Sequence, residues 1–176
     1  MPGPGIVVGC GAFCFGNAGD RLGWSFVPAV TTTLDEVDTV AFLGPTQQST
    51  FLFTISADAG GVPGAALESF GFALTSSTPQ IFDTLSVAHP VLLAGQTYWF
   101  TASTMDLVNQ AAAVGINSTG VVGPQGLRIG SGLWMPTTSS AYAVFRVTGY
   151  PCESNSVLRF ALHGIYRPAL TGSRGL

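Results

Sequence analysis

SADAGGVPGAALES, residues 56–69, carries an acid, a glycine pair and a Pro-Gly step between two apolar runs. Such a stretch is either a ligand loop or the turn of a β-hairpin. A phosphate loop needs a helix after its glycines and usually a lysine, and neither follows here. An EF-hand calcium loop needs several more carboxylates. A turn needs only what is present. Gly60 and Gly61 accept positive φ at little cost, Asp58 can take bonds from nearby N–H groups, and Pro63 fixes φ without donating. The residues predict a hairpin connection over 58–64.

Working outward, period-two alternation recurs and helical periodicity is nearly absent. Strands are expected near 22–27, 37–43, 50–57, 66–74, 79–87, 96–103, 111–117, 127–134 and 141–149, with two more at 5–8 and 157–163. In TFLFTISA, Phe51, Phe53 and Ile55 share one face, which is the better candidate for the core. Trp99, inside an apolar run, is also expected in the core. TMDLVNQAAAV, 104–114, alone has helix propensity, with Thr104 or Asp106 as cap and Gly115 as stop. A short helix and a loop leading into a strand fit it equally. Many short strands separated by Gly, Pro, Asn and Ser clusters indicate an all-β antiparallel sandwich, jelly-roll-like, with at most one short helix near 104–114. Residues 1–150 read as a single domain, with 1–20 as an N-terminal arm or edge strand. Residues 151–176 read as an extension holding one further strand and a flexible tail.

Of the 176 residues, only 9% are charged, against roughly 25% in an average soluble domain. There is no lysine, the net charge is -3 and no basic run occurs, which argues against a nucleic-acid partner. No apolar run reaches the roughly 18 to 20 residues that span a bilayer, so this chain is not expected to insert in a membrane. Low charge with abundant Ser and Thr suits an extracellular or cell-surface protein in its mature form, its signal peptide removed. Such a surface favours self-association or a neutral polar ligand.

The run ISADAGGVPGAALESF resembles the central hairpin of bacterial PEP-CTERM or choice-of-anchor surface modules. Three further phrases match in order: GWSFVPAVTTTLDEVDTVAF before it, PVLLAGQTYWFTAS after it and YAVFRVTG at the end. Together they cover about residues 22–149, and Leu93 to Trp99 is the most specific part. No Val-Pro-Glu-Pro sorting phrase follows Gly149, so the anchoring signal of such modules is missing, cleaved or trimmed. Neither the cysteine-containing N-terminus nor residues 150–176 match the shared pattern. The resemblance implies an extracellular, non-catalytic β-sandwich and brings no ligand or catalytic residue with it.

No catalytic constellation emerges from the residues. There is no Gly-x-Ser-x-Gly elbow, and His89 and His163 fall in no triad pattern. No cofactor is expected, with calcium as the one candidate: Asp35, Glu36 and Asp38 cluster and could act with Asp58. Trp134, Tyr142 and Trp24 are the candidates for stacking on sugar rings. Cys152 is a candidate to bridge Cys10 or Cys14 and so tie the two ends together, with Cys10–Cys14 as the local alternative. The function expected is a structural or adhesive surface module that assembles with itself through its terminal segments. The alternative is a carbohydrate-binding module, with a surface glycan as partner.

Overall fold

Phe51, Phe53 and Ile55 alternate with Leu52, Thr54 and Ser56, and the first three are fully buried while two of the second three stay partly exposed. This two-residue period builds most of the molecule. The computed structural model describes residues 5–9, 20–44, 48–107, 109–117, 123–139, 142–152 and 160–163. They form β1 (Gly5–Gly9), β2 (Asp20–Phe26), β3 (Thr32–Leu43), β4 (Ser49–Asp58), β5 (Pro63–Leu74), β6 (Gln80–Leu85), β7 (Val91–Leu92), β8 (Tyr98–Thr104), β9 (Ala111–Gly115), β10 (Gly123–Ile129), β11 (Met135–Ser139), β12 (Phe145–Pro151) and β13 (Phe160–His163). The fold is all-β, an antiparallel sheet curled into a half-barrel, with no helix among the described residues.

The strands run in the order β13–β12–β3–β9–β1–β2–β8–β4–β5, with β10 on β2 and β11 on β10. β3 is the hub. It pairs with β12 over Thr32–Thr39 and with β6 over Glu36–Ala41, and the overlap puts these partners on its opposite sides. Further contacts to β7 and β9 occupy its two ends. Both terminal strands are seated in the chain's own sheet, β1 on β9 and β13 on β12.

Aromatic rings fill the concave side. Phe53 stacks on Phe70 at 4.8 Å between centroids, and Phe100 lies parallel to Phe145 at 4.6 Å. Each fully buried ring of this size contributes about 1.5 to 3 kcal/mol relative to exposure. The Phe100–Phe145 contact joins β8 to β12, so the two arms of the curl meet through the core.

Of the two readings open for 104–114, a short helix or a loop leading into a strand, the structure takes the second. Gln110 N–H reaches the Asp106 carbonyl at 3.1 Å, and the Asp106 carboxylate takes the Asn109 amide at 3.1 Å. Such a local turn satisfies the polar residues. Ala111 to Gly115 are then all buried, paired with β1 on one side and β3 on the other. Small side chains let these backbones pack closely, and that tertiary pairing overrides alanine's helix preference. Two strands lay outside the expected set: β7, only two residues long, and β11, where Pro136 and a Thr-Thr-Ser run give no alternation.

Candidate functional site

The opening stretch is a hairpin. Asp58 pairs with Pro63 at its end, and Gly60 and Gly61 have φ of 79° and 89°. The Asp58 carboxylate accepts the Gly60 amide at 3.0 Å and the Gly61 amide at 3.1 Å. It also accepts the indole Nε1–H of Trp99 at 2.7 Å. The indole bond, followed by the two amides, holds the Asp58 pKa below its ordinary value despite some desolvation.

Trp99 is fully buried, but not where the apolar run suggested. Its neighbours Tyr98 and Phe100 point into the core, so Trp99 lies on the outer face of the sheet, beneath the hairpin. The hairpin leans over that face because two glycines receive it. A Cβ on Gly23 would come within 2.8 Å of Pro63, and one on Gly126 within 2.9 Å of Pro63 and 3.2 Å of Trp134. A small second cluster thus forms outside the half-barrel from Trp99, Pro63, Gly23, Gly126 and Trp134.

Across this outer face runs a row of small or hydroxyl residues, Ser69, Thr54, Thr101, Gly23, Gly126 and Pro136, one from each of six adjacent strands. Thr54 and Ser69 hydroxyls bond at 2.9 Å. Two residues along from the glycines, Arg21 of β2 lies directly opposite Arg128 of β10. Both are partly buried, and each Nε is enclosed without an acceptor. The pKa of Arg21 is lowered by burial and then by the Arg128 charge. Neither arginine had been singled out in the sequence. They stand far apart in the chain, and only strand pairing brings them together.

The three aromatic candidates separate. Trp24 is fully buried against Phe100, at 6.1 Å between rings, and Tyr142 is buried with its hydroxyl donating to the Ser25 carbonyl. Burial, partly offset by that bond, raises the Tyr142 pKa. Neither ring can stack on an external sugar, because both point into the core. Trp134 is the partly exposed member, at the margin of the outer face.

The calcium candidates also fail to gather. Among the described residues no three acids, histidines or cysteines converge as a metal site. Asp58 spends its oxygens on the hairpin. Asp38 is buried and pairs with Arg146, directly across β3 and β12. Burial pushes the Asp38 pKa to about 6, outweighing the Arg146 interactions that lower it; Glu36 and Asp83 add smaller upward pushes. Asp35 offers its backbone carbonyl to Ser86 N–H, and Glu36 sits opposite Leu85.

One acid holds a loop unexpectedly. Glu68 of β5 accepts the Ser86 hydroxyl at 2.5 Å, the Val87 amide at 2.6 Å and the Ala88 amide at 3.0 Å. Burial alone would raise its pKa, but these donors hold it below the ordinary value. The residue after this clasp, His89, has φ 46°, and its Nδ1 lies 3.0 Å from the Leu34 carbonyl. Cys152 is an exposed free thiol with Sγ 3.4 Å from the Thr33 hydroxyl, whereas Cys10 and Cys14 lie outside the described residues. No family model and no curated protein matches this chain.

Proposed function

We propose that this is a non-catalytic extracellular module of the β-sandwich type with a structural or adhesive role, associating with copies of itself. The observation that carries it is the free edge of β6. Among the described strands β6 pairs with β3 alone, and Ile81 and Leu85 on it are 65% and 66% exposed. Val87 just beyond is 85% exposed. An unpaired strand edge bearing apolar side chains is a template for another chain's strand. The low charge of the chain leaves little repulsion to oppose such contact. β1 and β13 pair within the chain's own sheet, so the edge of β6 is proposed as a means of association beside the terminal segments. Phe100 against Phe145 supports reading the curl as two facing layers.

Size-exclusion chromatography with light scattering tests it. The parent should form dimers or larger species as concentration rises, and Ile81→Lys with Leu85→Lys should return it to monomer. A parent that stays monomeric at high concentration removes the self-assembly role. A carbohydrate-binding role is the second reading, favoured by Trp134 beside the Ser, Thr and Gly row. A glycan array without hits, or hits indifferent to Trp134→Ala, would set it aside.

A further inference from the structure

We infer that Arg21 and Arg128 form an oxyanion site on the outer sheet face that takes the carboxylate or sulfate group of an acidic saccharide. The proposal rests on the carbohydrate-binding reading and adds the class of sugar.

Charge placement is the first argument. The chain has six arginines and no lysine, and among the described residues Arg146 is already committed to Asp38. Arg21 and Arg128 instead face each other across a β2–β10 pair, an arrangement that destabilises a sheet when nothing neutralises it. Among the described residues no acid pairs with either of them. Asp20, next to Arg21, falls on the opposite face by alternation. The residue opposite it on β10 is Ile129.

Geometry is the second. Both Nε atoms are enclosed without acceptors, and among the described residues no ion pair holds either guanidinium. The side chains are only partly buried, and their outer ends are left for a ligand. Paired guanidinium groups suit an oxyanion, which accepts several parallel N–H bonds. Alongside, the floor is low because Gly23 and Gly126 carry no side chain, and Trp134 stands over Gly126. A ring edge against Trp134 with its acid on the arginines uses both features, since a sugar's apolar face covers an aromatic one.

Isothermal titration of the full chain with polygalacturonate and with an uncharged galactan separates the outcomes. Polygalacturonate should bind and the galactan should not. Arg21→Gln or Arg128→Gln should each weaken binding by roughly tenfold or more, the scale of one charge-assisted bond. A second measurement needs no sugar. Sulfate, relative to chloride at equal ionic strength, should raise the melting temperature of the parent more than that of either variant. Equal binding of the neutral polymer overturns the oxyanion site and leaves the carbohydrate reading standing. Failure of both polymers together with no sulfate effect overturns both. A sulfate effect without polygalacturonate binding overturns the saccharide assignment, and binding unchanged in both variants overturns the site.

Discussion

Trp99 donates its indole N–H to Asp58 at 2.7 Å, linking a ring with no exposed surface to a carboxylate at the tip of a hairpin. Both Asp58 oxygens accept from the protein. Asparagine has one such oxygen and would set its NH2 against a donor. Asp58→Asn should therefore lower stability by about 1 kcal/mol or somewhat more. Urea unfolding of the two proteins measures the difference. The same saturation predicts that a chelator leaves the parent's melting temperature unchanged.

Gly126→Ala tests whether the hairpin truly rests on the sheet. A methyl group there meets the Pro63 ring at 2.9 Å, and one of them must move. Overpacking of this kind costs about 1 to 3 kcal/mol. Because Trp134 is also in reach, its fluorescence should change in the folded variant. Loss of stability with an unaltered emission spectrum would argue that the strain is taken up elsewhere.

Glu68 is expected to govern the loop after β6. Glu68→Ala removes the acceptor for two backbone amides and a hydroxyl, so the Val87 and Ala88 amides should exchange faster while those of β4 keep their protection. Native-state hydrogen exchange resolved by residue reads this directly. Uniform acceleration across the sheet would mean that Glu68 supports the whole fold rather than one loop.

Asp38 sets a pH dependence of unusual sign. Its folded pKa of about 6 lies above the ordinary 3.8, so the folded state holds the proton more tightly than the unfolded chain. Its contribution is fullest below the unfolded value and is lost as pH rises through about 6. Asp58 and Glu68, with lowered pKa values, act the other way, adding stability above their ordinary values that disappears as acid protonates them. Asp38→Asn should flatten the decline between about pH 4 and 7 in a urea-midpoint series. An unchanged slope in the variant would reassign the effect to another group.

Alternation made β4 and β8 legible, because half-buried strands must repeat every two residues. The hairpin at 58–64 was legible too, because positive φ and a short acid leave their mark in residue type. The face on which Trp99 is covered was not, since a period of two places a side chain on a side without saying what lies over it. The same limit hid Trp24 and Tyr142, which point inward. Helix and strand stayed open at the start of β9 because helix preference is local, whereas the strands that pair with Ala111 to Gly115 are remote. Arg21 with Arg128, and Glu68 with Ser86, are products of topology alone.

The four-partner strand β3 also has a bearing on how the chain acquires its shape. Its Thr32 end is completed only by Pro151, and its middle by residues from Gln80 onward. Contacts so distant in sequence close slowly, because the loop must be ordered before the pairing compensates. During synthesis β3 would emerge early and wait with one side bare until β12 leaves the ribosome. For that interval its unpaired amides and carbonyls are open to the wrong strand. In such a chain, the order in which segments are made exposes the central strand long before its last partner exists.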